Sequence, residues 1–273
     1  MPEIESETKF FWKILLHILI SPITFFQVLF GRKESKELWK PFFDIVEFIF
    51  EPKFTISMII LNVVIFIWSV FFASEQLINS FVHYPANIFS AKVYTIITAG
   101  FLHADMSHLF FNMVALFIFG RVVERKLGFF KTAMVYFGAM IISHVFASII
   151  YLFVLGENVG GLGASGALMG LVSCAILVDP LYLTYELIVP LPIMIVGWLT
   201  IYADITGIIS SANDGIGHFA HLGGFISIAI LTYFFSDIEK EELKKGLIIN
   251  VVSFAVIAAI YFVYISGIWK GLF

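Results

Sequence analysis

The chain has 273 residues, of which 60% are hydrophobic and only 13% are charged, and its formal net charge is -4. Soluble domains average about 45 to 50% apolar and 25% charged residues, so the composition excludes an ordinary soluble protein, a disordered chain and a nucleic-acid-binding module. With Cys174 as its single cysteine, the chain is not a disulfide scaffold either. The mean hydropathy of +0.98 favours an all-α, polytopic membrane helix bundle.

Residues 1–53 are predicted to form a cytoplasmic or interfacial N-terminal region. The apolar stretch from Phe10 to Phe30 carries Lys13 and His17 on one helical face, and Pro22 interrupts it. We therefore interpret this stretch as an amphipathic helix that lies on the membrane surface.

Seven long apolar stretches follow and are predicted to be transmembrane helices. They are Phe54–Ala73, Ser107–Gly120, Phe129–Leu155, Ser165–Val178, Leu187–Ala203, Gly217–Phe235 and Leu247–Ile268. The first six would form a core over residues 54–236. In the remaining part, residues 237–273, the charged run Glu239–Lys245 is predicted to be a cytoplasmic linker to a seventh helix.

The distribution of basic residues predicts which side of the membrane each loop occupies. If the segment before Phe54 is cytoplasmic, 14 of the 16 Lys and Arg residues face the cytoplasm and only Lys92 and Lys270 lie outside. We expect a multi-pass protein of the plasma membrane.

Polar side chains inside predicted spans are costly, and each is a candidate for function. His108 and Asn112 lie four residues apart, with Asp105 or Ser107 as the helix N-cap, so both side chains project from one helical face. They could donate hydrogen bonds to one point, or they could simply bond neighbouring helices.

Ser165 follows a glycine-rich loop and is predicted to begin a helix. At the positive end of that helix, free backbone amides could bind a developing oxyanion. The alternative is a packing role, because Gly166 and Gly170 form a small-residue motif for close helix contact.

His221 is followed by Gly223, Gly224 and Ser227, which would let its helix pack closely against the serine helix. A buried histidine can also be a structural hydrogen-bonding residue. No Asp or Glu in the outer half of the spans is an obvious partner for His221, so a catalytic arrangement would be a Ser/His dyad.

The predicted helices place these groups at one depth. At 1.5 Å per residue, Ser165 lies roughly 20 Å from the cytoplasmic end at Val178, and His221 lies roughly 21 Å from Phe235. His108 lies roughly 18 Å from Gly120, the cytoplasmic end of its own helix, and so is close to the same plane. Unrelated packing roles do not explain this agreement.

The motifs HADMSHLFFN, GASG, AHLGG and GRVVERKLG occur in this order, and together they resemble those of the rhomboid family of intramembrane serine proteases. The resemblance implies a six-helix core, here with one added C-terminal helix, and a water-filled cavity that opens outward. It implies Ser165 as nucleophile, His221 as general base, and His108, Asn112 and the Ser165 amide at the oxyanion.

The resemblance also implies roles for residues around the site, in the loops and at helix contacts. These residues are Gly163, Gly166, His103, Glu124 and Gly224, with Glu124 and His103 expected to be structural. Two positions depart from the family pattern. Tyr94-Thr95 replaces a Trp-Arg pair, which leaves the anchoring of that loop open, and Ile228 replaces a glycine on the His221 helix.

The resemblance implies an endopeptidase that cleaves single-span membrane proteins in or beside their transmembrane segment, with its active site towards the extracytoplasmic side. The expected partners are these substrates and the lipid bilayer, without nucleic acid, cofactor or metal, and the oligomeric state is left open. One alternative is a catalytically inactive rhomboid-like binding protein. Another is a histidine-based metal site or transporter built from His103, His108, His218 and His221.

Overall fold

The structure is a computed structural model, and it describes residues 7–185, 190–210 and 217–266. Most of these residues are helical, which confirms the predicted all-α membrane bundle. The helices in chain order are α1 (Glu7–Leu29), α2 (Lys36–Phe50), α3 (Lys53–Phe71), α4 (Glu75–Phe81), α5 (Thr95–Thr98), α6 (Met106–Leu127), α7 (Phe129–Leu155), α8 (Ser165–Val178), α9 (Ile193–Ile209), α10 (His218–Phe234) and α11 (Asp237–Ser266). A two-residue antiparallel pair, β1 (Leu183–Thr184) and β2 (Leu191–Pro192), joins α8 to α9.

Within the described ranges, α1, α3, α6, α7 and α11 are long and apolar enough to cross a membrane. Helices α8, α9 and α10 are apolar but shorter. The chain is therefore a multi-pass membrane protein whose short helices are grouped around one region.

Helix α8 lies at the centre of the bundle. Twelve of its 14 residues are buried, and it packs against α7, α10 and α11. Its first residue is Ser165, as the glycine-rich sequence before it predicted. The helix is too short to span a core of about 30 Å, so the chain before it reaches into the depth of the bundle, where Gly163 and Ala164 are buried by protein.

Ion pairs link the helix ends at one side of the bundle. Lys126 at the end of α6 pairs with Asp179 after α8 at 3.0 Å, and Lys131 in α7 pairs with Glu239 in α11. Nearby, the Glu124 carboxylate accepts hydrogen bonds of 2.8 and 2.9 Å from the backbone amides at the start of α3. This is the side predicted to be cytoplasmic, and Ser165 lies at the opposite end of α8, roughly 20 Å away.

Helix α1 does not break at Pro22, so the expected interruption is wrong. Proline lacks the N–H that would bond the Ile18 carbonyl one turn earlier. The Ser21 hydroxyl donates to that carbonyl at 2.8 Å instead, and the helix therefore continues.

Two predicted helix boundaries also differ from the structure. The fifth predicted span starts at Leu187 and ends at Ala203, whereas α9 begins after Pro192 and extends to Ile209. Residues 187–189 lie outside the described residues. The run Glu239–Lys245, predicted to be a linker, is the first part of α11.

The loop containing the Tyr94-Thr95 departure is held by its own hydrogen bonds. Thr95 Oγ1 lies 2.9 Å from His83 Nδ1, and His83 Nε2 lies 2.9 Å from Ser148 Oγ in α7. The Tyr94 hydroxyl donates to the Ser80 carbonyl at 3.0 Å. This network anchors the loop to the core in place of the Trp-Arg pair.

Candidate active site

The turn that leads into Ser165 is built around Gly163, whose φ of +119° favours glycine. A Cβ at this position would lie 2.8 Å from His108 Nε2 and 3.7 Å from Asn112 Nδ2. Gly163 therefore lets two side chains of α6 approach the start of α8 closely. The predicted pairing of His108 and Asn112 on one helical face is present.

The start of α6 is fixed by an N-cap. Asp105 Oδ1 accepts a hydrogen bond from the His108 backbone amide at 2.8 Å and one from the Ser107 hydroxyl at 2.5 Å. The Ser107 hydroxyl and the His108 amide hold the pKa of the Asp105 carboxyl below its ordinary value. Of the two predicted N-caps, Asp105 is therefore the one used, and it orients the first turn that carries His108.

Asn112 Nδ2 is a buried donor that has no hydrogen-bond partner among the described residues. The residue is 7% exposed. A buried donor without a partner is costly, and such groups in folded proteins are often functional. This donor points to the Gly163 side of the turn and is available to an acceptor at the start of α8.

Close contacts between small residues bring α8 against α10. A Cβ at Gly224 would lie 2.0 Å from the Gly166 carbonyl oxygen, and a Cβ at Gly166 would lie 3.7 Å from the Ala220 carbonyl oxygen. Ser165 and His221 are the sequence neighbours of Gly166 and Ala220, so they occupy the same end of this contact. The predicted contact between the serine and histidine helices is present.

His221 has a carboxylate partner, which the sequence analysis missed. His221 Nδ1 lies 2.7 Å from Asp204 Oδ1 on α9, and His218 Nδ1 lies 3.0 Å from the same oxygen. The expectation that no carboxylate would lie beside His221 is wrong. The sequence does contain a sign of this partner, because Asp204 is followed by the apolar run from Ile205 to Ile209 and so lies inside a span. An ionisable group inside a span is by default a candidate for function.

This hydrogen bond determines which nitrogen of His221 can act as a base. An ionised carboxylate only accepts hydrogen bonds, so the Nδ1 that faces Asp204 carries the proton. In the neutral ring, Nε2 then has a free lone pair. Asp204 thus holds the His221 ring in the tautomer that accepts a proton at Nε2.

The remaining histidines divide into two groups. His103 is buried, and its ring centroid lies 5.1 Å from that of His108. Asp204, His218 and His221 form the second group, with potential ligand atoms within 4.8 Å of one another. Gly163, which contacts His108, lies three residues before Gly166, which contacts Ala220 next to His221, so the two groups border one region. The alternative metal site predicted from the sequence contained all four of these histidines. Among the described residues, only His218 and His221 belong to the group of potential ligands.

Two further predictions concern the surroundings of the site. Ile228 is buried in α10, and the Ser227 hydroxyl beside it donates to the Gly224 carbonyl at 2.6 Å. The departure at Ile228 therefore does not prevent close packing of the histidine helix. Glu124 lies with the ion pairs at the other end of the bundle.

Comparison with known proteins gives a family match. The model of the Rhomboid domain family matches residues 90–238. This range includes each candidate site residue named above.

Curated relatives agree with this match. The chain is 29% identical to RHOMBOID-like protein 12, mitochondrial, of Arabidopsis thaliana over 64% of this chain and 56% of the relative. It is 23% identical to Rhomboid protease AarA of Providencia stuartii over 77% of this chain and 82% of the relative. It is 30% identical to Rhomboid protease GlpG of Photorhabdus laumondii over 43% of this chain and 40% of that protein. The chain spans about half the length of two Arabidopsis relatives that it matches, 56% for both the mitochondrial protein and a chloroplastic one.

Proposed function

The chain belongs to the rhomboid family, and from that premise we propose that it is an intramembrane serine endopeptidase that uses Ser165 as nucleophile and His221 as general base. The observation that carries this proposal is the convergence at the start of α8. There Gly163 admits the side chains of His108 and Asn112, and Gly166 meets the helix that carries His221.

In the acylation step, Ser165 Oγ attacks the carbonyl carbon of the scissile peptide bond, and its proton moves to His221 Nε2. The tetrahedral intermediate then collapses, the C–N bond breaks, and His221 gives the proton to the leaving amine. Water, activated by the same ring, hydrolyses the acyl-enzyme and restores Ser165. Asp204 acts as a positioning residue because it holds the His221 ring through Nδ1.

The oxyanion formed in this step needs donors that are already in place. Asn112 Nδ2 is a buried donor without a partner in the described part of the chain. The Ser165 amide belongs to the first turn of α8, where backbone N–H groups have no intrahelical acceptor. Together with His108 they supply up to three donors around the Gly163 turn, which is the arrangement that stabilises an oxyanion.

The substrate class follows from the depth of the site. Ser165 lies at the end of α8 away from the ion pairs, and the two residues before it, Gly163 and Ala164, are buried in the bundle. A peptide bond reaches this region most directly from a transmembrane segment that has moved in from the bilayer. We therefore propose single-span membrane proteins as substrates. By the distribution of basic residues, the site would face the extracytoplasmic side of a cell membrane.

A reconstituted cleavage assay tests this function. The full chain in liposomes is incubated with single-span substrates, and the native protein is compared with Ser165→Ala and His221→Ala. We expect both changes to reduce cleavage by at least about 10³-fold. Ser173→Ala is a matched control. Ser173 is a buried serine on the same helix, and its hydroxyl donates a hydrogen bond to the Gly170 carbonyl.

The alternative functions give different results in the same assay. A catalytically inactive binding protein would retain substrate segments without cleaving them, whatever residue occupies position 165. Cleavage that survives Ser165→Ala and stops with a chelator would indicate a metal-dependent reaction. Either result would refute the serine mechanism.

A further inference from the structure

Asp204, His218 and His221 form a compact group of potential metal ligands. Asp204 Oδ1 lies 2.7 Å from His221 Nδ1 and 3.0 Å from His218 Nδ1. Zinc binds imidazole nitrogen and carboxylate oxygen at about 2.0 to 2.2 Å, which places tetrahedral ligand atoms about 3.3 Å apart. The two distances to Asp204 Oδ1 therefore need to lengthen by only a few tenths of an ångström, and all three ligand atoms lie within 4.8 Å of one another.

Packing holds this group together. His218 and His221 lie three residues apart on α10, so their side chains share one face. The His218 ring packs against Gly207 on α9, where a Cβ would lie 2.2 Å from the ring. Gly207 is one turn from Asp204. Glycine at this position thus lets His218 approach the carboxylate.

The group remains partly accessible. The side chains of Asp204 and His221 are both 14% exposed, and that of His218 is 10% exposed. His218 lies at the first residue of α10, the end that carries the proposed catalytic base. The proposed reaction gives a role to His221 and Asp204 but none to His218.

We propose that Asp204, His218 and His221 bind a divalent transition-metal ion such as Zn²⁺, and that the bound ion stops proteolysis. Two imidazoles and one carboxylate favour this class of ion, whereas Mg²⁺ prefers oxygen ligands. The second part of the proposal rests on the proposed function of the site.

The inhibition follows from the tautomer of His221. An ion bound at Nδ1 takes the lone pair of that nitrogen, so the proton of the neutral ring moves to Nε2 through solvent. Nε2–H cannot accept the proton of Ser165. The ion also draws Asp204 away from its role of holding the ring, and the base is blocked without any change in the serine.

Binding is tested on the full native chain in detergent micelles, by zinc titration against a fluorescent zinc indicator and by the absorption spectrum of Co²⁺. We expect one saturable site per chain that Mg²⁺ does not fill. His218→Gln should weaken binding by at least about tenfold, since it removes one of three ligands. Gly207→Ala should also weaken binding, because its methyl group would displace the His218 ring without removing a ligand.

His103→Gln is the matched control, since His103 is a buried histidine beside His108 that is outside the ligand group. Binding should be unchanged in this variant. Binding that is lost in His103→Gln and retained in His218→Gln and Gly207→Ala would overturn the proposal. Absence of a saturable site in the native chain would overturn it as well.

Inhibition is tested in the liposome cleavage assay, with the rate of each variant expressed relative to its own rate without metal. At a zinc concentration 100 times the dissociation constant, the native rate should fall about 100-fold, and chelation should restore it. His218→Gln, which binds at least about tenfold more weakly, should be inhibited about 11-fold or less at the same concentration. Zinc binding without inhibition of an active protease would overturn the proposal. Zinc binding to a chain that cleaves nothing would support the site and refute the proposed protease instead.

Discussion

The hydrogen bond between Asp204 and His221 leads to a quantitative prediction. Asp204→Asn keeps the size of the side chain but removes the charge that holds the proton on His221 Nδ1. A hydrogen bond to a charged group contributes about 1.5 to 3 kcal/mol, and each 1.36 kcal/mol corresponds to a tenfold change in rate. The distance of 2.7 Å and the 14% exposure of both side chains favour the upper part of this range. We expect kcat to fall about 45- to 160-fold.

The assay is the initial rate of cleavage of a single-span substrate in liposomes, measured over a range of substrate concentrations in the bilayer. A positioning role predicts a loss in kcat with little change in KM, because Asp204 acts on the base and does not contact the substrate. Asp179→Asn is the matched control. Asp179 pairs with Lys126 at the other end of α8, and its loss should change kcat by less than about twofold. A kcat for Asp204→Asn within twofold of the native value, in protein that remains folded, would refute the reasoning.

Three further predictions concern the oxyanion site and the packing of the helices. Asn112→Ala should lower kcat by about 10² to 10³, equivalent to roughly 2.7 to 4 kcal/mol of transition-state stabilisation, and a loss below twofold would exclude this side chain as a donor. Gly224→Ala places a methyl group 2.0 Å from the Gly166 carbonyl and should lower the free energy of unfolding in detergent by about 1 to 3 kcal/mol. Gly217→Ala, whose nearest neighbour lies at 3.7 Å, should change this free energy by less than about 0.5 kcal/mol, and equal losses in both variants would contradict the packing argument. Asn250→Leu removes the hydrogen bonds of 2.6 and 2.8 Å that tie α11 to α8 and α9, together with one of 2.8 Å to Gly246 within α11. It should cost about 1 to 3 kcal/mol by the same measurement, whereas an unchanged value would mean that the last helix is held by apolar contacts alone.

The start of α8 could be predicted because local rules determine it. The glycines before Ser165 exclude a regular helix, and the apolar run after it is helical, so the boundary follows from residues close in sequence. The contact between the serine and histidine helices was also predictable. Small residues at helical spacing, such as Gly166 and Gly224, mark surfaces at which two helices can approach closely.

Asp204 could not be assigned as the partner of His221 by the same rules. The two residues lie on different helices, and only the packing of α9 against α10 brings them together. The predicted end of the fifth span at Ala203 also placed Asp204 beyond the helix. In the structure α9 continues to Ile209, so Asp204 lies within it and reaches the ring.

Charge alone does not mark a linker, because the run Glu239–Lys245 is helical in α11. Ser236 and Glu239 instead form a capping box. The Glu239 carboxylate accepts from the Ser236 amide at 2.8 Å, and the Glu239 amide donates to the Ser236 hydroxyl at 3.4 Å. This signature is readable in the sequence. It shows that acidic residues in a first turn can begin a helix as well as interrupt one.

The most direct test of the central claim is to map the residue that reacts with a serine-directed phosphonate probe. The full chain in detergent is labelled, digested and analysed by mass spectrometry, with the native protein beside His221→Ala. The account predicts that the phosphonate is attached to Ser165 in the native chain and that labelling is lost in His221→Ala, because the serine is activated only when the base takes its proton. A native chain in which Ser165 stays unlabelled, or one in which labelling is equal with and without His221, would contradict it.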